Sequence, residues 1–160
     1  YLTGGFSVSI NCFFLFLIIF KSPSSITPYK VLLGNSAITD LVFSMSTTFL
    51  QCRLIPHKWA FAYIALGPAK YFGEQVSYYT YVLQLHSLFY KFLCFPLSFG
   101  FRYYILIRPV PTMKQLMLLL FCIWLLPLAQ SLCFINSQSN SIAIREYLAE
   151  NKPEYNLTGW

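Results

Sequence analysis

Asp40 and Lys91 lie deep inside apolar runs, and Arg102 closes the run that carries Lys91. An ionised side chain in hydrocarbon costs roughly 2.5–3.5 kcal/mol even on permissive insertion scales, so such residues mark sites, and pairing is the usual way to make either charge tolerable. Counted from Lys30, Asp40 is ten residues in, about 15 Å at the helical rise. Counted back from Arg102, Lys91 is eleven residues in, about 16 Å. The two charges therefore stand at matching depth, and an ion pair between their helices is expected. Separate water-filled niches are the alternative. Snorkelling does not serve Lys91, which is too deep for an easy reach to water.

Ser77, Thr80, Gln84, Ser87, Lys91, Cys94, Ser98 and Arg102 recur at steps of three and four residues, which draws one stripe down one helix face. In a membrane a small, polar face points into a bundle while Leu, Phe and Tyr meet lipid or neighbouring helices. Close helix packing alone accounts for Cys94 and Ser98. At the other end Ser77, Thr80, Tyr81 and Gln84 would line a cavity open to the outside, and they are the candidate ligand contacts. His57 falls in a connection and His86 roughly opposite the stripe, so no His, Cys and carboxylate set converges. With no glycine-rich phosphate loop either, no catalytic site, metal or cofactor is expected.

Elements that could position these residues follow from composition. Of 160 residues 57% are hydrophobic and 10% charged, which leaves too little polar material for the shell of a soluble domain. The net charge of +6 fits juxtamembrane loops in so apolar a chain, and no nucleic-acid partner is expected. The fold class expected is an all-α membrane protein. Spanning the hydrocarbon takes about 20 apolar residues, and four stretches qualify: 2–20, 31–51, 76–101 and 116–135. Pro96 should kink the third. The connection 52–75 carries Trp59, Phe61, Tyr63, Tyr71 and Phe72, residues of an interfacial aromatic belt, and is expected to lie on the membrane surface. Residues 102–115 form a basic loop and 136–160 a polar tail. Tyr1 begins inside an apolar run, so the chain reads as a fragment.

Orientation comes from basic residues in short loops. Lys21, Lys30, Arg102, Arg108 and Lys114 are dense and free of acids, whereas Arg53, Lys58, Lys70, Arg145 and Lys152 are spread over about twice the length. Asn156-Leu157-Thr158 is a glycosylation acceptor pattern usable only on the lumenal side. Both signals put the N-terminus outside and the Arg102 loop in the cytosol. Cys52 and Cys133 then end spans on one side and form a candidate disulfide, while Cys12, Cys94 and Cys122 sit in apolar runs as packing residues.

Leu33-Gly-Asn-Ser-Ala-Ile-Thr-Asp-Leu41 resembles the second-helix pattern of rhodopsin-like receptors, and Phe101-Arg-Tyr-Tyr-Ile-Leu-Ile-Arg-Pro109 their Arg-Tyr motif with proline seven residues after the arginine. Asn11 matches their first-helix asparagine. Tyr29-Lys-Val-Leu-Leu-Gly-Asn-Ser-Ala-Ile-Thr-Asp40, Arg53-Leu-Ile-Pro56, Gly67-Pro-Ala-Lys-Tyr-Phe-Gly73 and Ser98-Phe-Gly-Phe-Arg-Tyr-Tyr-Ile-Leu106 resemble more closely the nematode serpentine chemoreceptors of class delta. The resemblance implies helices one to four of a seven-helix receptor in the plasma membrane, with a sensory cilium as the family's site. It implies a small odorant or pheromone-like ligand outside and a heterotrimeric G protein inside. It assigns Asn11, Asn35, Asp40 and Lys91 to one buried polar network, and Arg102 with Tyr103 to the G-protein-facing end.

Two departures from the rhodopsin-like pattern stand out. No cysteine lies between Arg53 and Leu93, and the residue before Arg102 is Phe101 rather than an acid. The arginine then needs another resting partner or has none. Lys91 stands where that pattern has a small polar residue near a sodium ion, so its ammonium is expected to replace the ion. The alternatives are a transporter or channel subunit in which Asp40 and Lys91 line an ion path, and a truncated, non-functional product.

Overall fold

A computed structural model of the chain describes residues 1–21, 27–57 and 60–137. Asn156, Trp59 and most of the expected polar tail lie outside them. Four helices, α1 (Leu2–Phe20), α2 (Thr27–Leu50), α3 (Glu74–Ile107) and α4 (Met113–Asn136), follow the chain, with two strands, β1 (Cys52–His57) and β2 (Ala60–Ala65), and a 3₁₀ turn Pro68–Phe72 between α2 and α3. Each helix packs on the next. The contacts run antiparallel throughout: Gly4 faces Thr48 and Ser7 faces Ser44, Tyr29 faces Arg102 while Gln84 faces Thr47, and Tyr78 reaches Phe134 while Phe101 packs with Leu116.

Local chemistry sets the helix limits. α2 starts at Thr27, one turn ahead of the expected Val31, because Pro28 suits a first turn, where its missing N–H and fixed φ cost nothing. Lys30 reaches back so that its Nζ donates to the Ile19 carbonyl at 3.0 Å, a cation at the negative end of α1. α3 passes through Pro96 and runs to Ile107, so residues 102–107 are helix and not the expected loop. It stops where proline dictates: Arg108, ahead of Pro109, is extended at φ −125° and ψ 156°, the region a pre-proline residue prefers. α4 opens on Thr112, whose N–H donates to Gln115 Oε1 at 3.0 Å, the reciprocal arm of a capping box.

The connection expected to lie on the membrane surface contains an antiparallel hairpin, with Cys52 opposite Ala65 and Leu54 opposite Tyr63. It is tied to the end of α2. Gln51 takes a left-handed φ of 44°, and its carbonyl accepts from Leu66 N–H at 3.3 Å while Leu50's accepts from Gly67 N–H at 3.0 Å. A Cβ on Gly67 would stand 2.3 Å from the Phe49 carbonyl oxygen, so only glycine fits.

At the opposite end a compact core joins Leu32, Phe101, Leu116 and Leu120, with Tyr29, Val31 and Leu97 packed against it. Elsewhere the helices turn large apolar side chains outward, as with Phe92 at 67% exposure, a surface that lipid rather than water must cover. Among the described residues α1, α3 and α4 are long and apolar enough to cross a membrane. α2 is not in that set because ten of its 24 residues are Ser, Thr, Asn, Asp or Lys.

Candidate functional site

Part of that polar set, Asn35, Asp40 and Thr47, meets the polar face of α3. Because the helices are antiparallel, the steps of three and four along α3 fall opposite matching steps along α2, and a seam of polar contacts runs from end to end. Nearest the hairpin, Gln84 Nε2 donates to Thr47 Oγ1 at 3.2 Å, while its Oε1 is buried and accepts no hydrogen bond. Two turns on, Lys91 Nζ lies 2.5 Å from Asp40 Oδ1. That oxygen accepts no directed hydrogen bond, so the contact is one of charge. The ammonium also sits 6.0 Å from the centre of the Phe43 ring. Lys91 is 50% and Asp40 30% exposed, so these four helices leave one side of the pair open.

Beyond the pair, Tyr90 OH donates to Asn35 Oδ1 at 3.2 Å, and Asn35 Nδ2 donates to Cys94 Sγ at 3.6 Å. The seam ends at Arg102, whose Nε donates to Tyr29 OH at 3.1 Å; Nη2 donates to the same oxygen. Tyr103 is exposed on the neighbouring face.

The single network expected of Asn11, Asn35, Asp40 and Lys91 is divided. Asn11 Nδ2 donates to the Ser7 carbonyl at 2.9 Å, the return to position i−4 that short polar side chains favour in helices. α1 reaches α2 instead through Ser7 Oγ and Ser44 Oγ, 2.7 Å apart and one turn from Asp40.

Among the candidate ligand contacts, Ser77 and Thr80 donate their hydroxyl protons to the carbonyls of Gly73 and Val76, at 3.2 and 2.7 Å. Tyr81 is stacked under Tyr63 of β2, centroids 4.4 Å apart and planes at 13°. Of these four, Gln84 is the one with an unused buried polar atom, its Oε1. Cys52 and Cys133 are not bridged: both are free thiols, Cys52 half-buried where the hairpin leaves α2 and Cys133 exposed near the end of α4. Burial pushes the Cys52 thiol up from 9.0 to about 11. Among the described residues no three His, Cys, Asp or Glu side chains gather as metal ligands.

Sequence reasoning gave no role to Tyr29 or Tyr90 and read Tyr63 only as a residue of the interfacial belt. An aromatic with a hydroxyl looks like any interfacial residue until its neighbour helix is placed. His86, set aside as facing away from the stripe, pairs with α4: its Nδ1 lies 3.0 Å from Ser131 Oγ. Ser131 donates its own proton to the Pro127 carbonyl at 2.8 Å, which leaves His86 Nδ1–H as the donor. Trp124 lies edge-on to the imidazole at 5.8 Å.

Residues 1–159 match the family model described as "Serpentine type 7TM GPCR chemoreceptor Srd". The chain is similar to Serpentine receptor class delta-33 of Caenorhabditis elegans, 40% identical over 59% of this chain and 28% of that protein. It is likewise similar to class delta-18 of the same organism, 35% identical over 78% of this chain and 38% of the relative, and to class delta-28, 26% identical over 86% and 43%. The chain thus spans less than half the length of these curated relatives. No solved structure matches it significantly.

Proposed function

The chain belongs to the serpentine chemoreceptors of class delta, a family of multi-pass membrane receptors and not of enzymes, and from that premise we propose that it forms helices one to four of a seven-helix G-protein-coupled receptor for an external small molecule. The hairpin end faces outward and takes the ligand. The Arg102 end faces the cytosol and meets a heterotrimeric G protein. Lys21, Lys30, Arg102, Arg108 and Lys114 fall at that end, in keeping with the positive-inside rule; the acceptor pattern at Asn156 supports the same sense. The plasma membrane of a sensory neuron is the proposed location.

The observation that carries this reading is the α2–α3 seam, which joins the two ends through side chains paired between the helices. A ligand engaging Gln84 and Tyr81 biases the equilibrium between two arrangements of that seam, and the bias is read at Arg102 and Tyr103. The unused acceptor on Gln84 favours ligands with an N–H or O–H donor, because an unmatched buried carbonyl gains most from one.

The test is the full-length receptor in a reporter cell challenged with a panel of volatile and pheromone-like compounds. Arg102→Ala should abolish the response at equal surface expression, and Gln84→Ala should shift ligand potency while the maximal response is kept. An Arg102→Ala receptor that responds like the wild type rejects the reading.

A further inference from the structure

Arg102 is the last polar residue of the seam, and what it meets is unusual for a guanidinium. The residue ahead of it is Phe101, and its own hydrogen bonds go to one neutral hydroxyl. Nε donates to Tyr29 OH at 3.1 Å, and Nη2 shares the same acceptor. The guanidinium carbon also lies 5.5 Å from the Tyr29 ring centre and 5.9 Å from that of Phe99, within the reach of cation–π attraction.

Tyr29 is well fixed for this task. It stands in the first turn of α2, and its ring stacks on Phe101 with centroids 6.3 Å apart and planes at 19°. Phe101 is only 6% exposed and belongs to the core formed with Leu32, Leu116 and Leu120. The aromatic ring is therefore held by α2, α3 and α4 together, while its oxygen points at the arginine. A phenol holds a cation by hydrogen bonds without neutralising it, whereas a carboxylate would cancel the charge. The guanidinium keeps its full positive charge and remains exposed.

We propose that Tyr29 is the positioning residue that holds Arg102 at rest, and that a cytosolic partner is engaged by transfer of the guanidinium from this hydroxyl to carboxylate or carbonyl oxygens on that partner. The proposal rests on the reading of Arg102 as the G-protein contact. It differs from a purely packing role for Tyr29, since the ring and the hydroxyl have separate jobs.

Tyr29→Phe separates them, because it keeps the stack on Phe101 and removes the acceptor. The full-length receptor, reconstituted in lipid nanodiscs, is measured twice. Without G protein, phenylglyoxal modification of Arg102 is followed by mass spectrometry. With G protein and no ligand, nucleotide exchange is followed. Loss of a charge-assisted hydrogen bond corresponds to about a tenfold change in occupancy, so Tyr29→Phe should modify Arg102 several-fold faster and raise basal exchange several-fold. Tyr29→Phe combined with Arg102→Ala should be silent. An unchanged modification rate overturns the hold; faster modification with basal exchange unchanged or lowered overturns its resting role. Failure of the underlying G-protein reading looks different: exchange driven by the wild-type receptor that Arg102→Ala leaves untouched.

Discussion

At the scale of single residues, Lys91 gives Asp40 a counter-charge tethered to the chain itself, 2.5 Å away. A diffusible cation is then redundant at that carboxylate, since a second positive charge would have to displace the first or sit beside it. The ligand response of the full receptor should therefore be unchanged when sodium is replaced by choline, whereas Lys91→Ser should make it sodium-dependent. A wild-type dose–response curve that shifts steeply with sodium concentration rejects this role for the lysine. The matched depth of the two charges could be counted from the sequence, because the helical rise is constant and each residue had a basic landmark at the membrane edge. The Tyr29–Arg102 contact could not be counted in this way. A tyrosine near an interface carries no charge to pair and shares its position with many residues that only anchor a helix.

Among the elements, the hairpin is the one whose chemistry offers the sharpest tests. Gly67→Ala would push a methyl group against the Phe49 carbonyl, 2.3 Å from its oxygen. This overpacking should cost about 1–3 kcal/mol and lower the thermal midpoint of the full receptor in nanodiscs. A midpoint equal to the wild type's would show that the hairpin docks differently. The Cys52 thiol gives a second handle. Its folded value of about 11 against an ordinary 9.0 means that the fold favours the protonated form. Stability from this group is therefore complete below pH 9 and lost as the pH rises towards 11. Tyr63, whose hydroxyl is raised by burial and then by its neighbour Tyr78, adds a loss of the same sign. At pH 8 the Cys52 thiolate should be about a hundredfold scarcer than in the denatured chain, and iodoacetamide should label it correspondingly slowly; labelling as fast as in the denatured chain contradicts that burial. The hairpin itself was illegible beforehand because Pro56 reads as a strand breaker and the aromatics as a membrane belt. The reach of α3 past Arg102 was hidden by its charge, which marks a membrane edge but does not end a helix. Pro109 was the better stop signal.

For the whole molecule, the seam and the lipid-facing exteriors pull in one direction. Lys91 remains half exposed, while α1 and α4 present apolar flanks, so further protein is needed over the seam and lipid over the rest. Expressed by itself, the 160-residue chain should turn over several-fold faster in cells than the full-length receptor, and a pulse–chase that finds equal lifetimes contradicts this. The order of packed helices was open to reading from the apolar runs, since short connections make neighbours. Their relative rotation was not, since it depends on which of several polar faces meet. One further consequence follows from the way the hairpin is fastened. Gln51 and Gly67 weld it to the last turn of α2, and Tyr29 stands in the first turn of the same helix, about 30 Å away at the helical rise. α2 is then a pushrod with a lever at one end and a latch at the other: a tilt imposed on the hairpin is carried towards Arg102 by the helix itself, in step with the side-chain pairs of the seam along it.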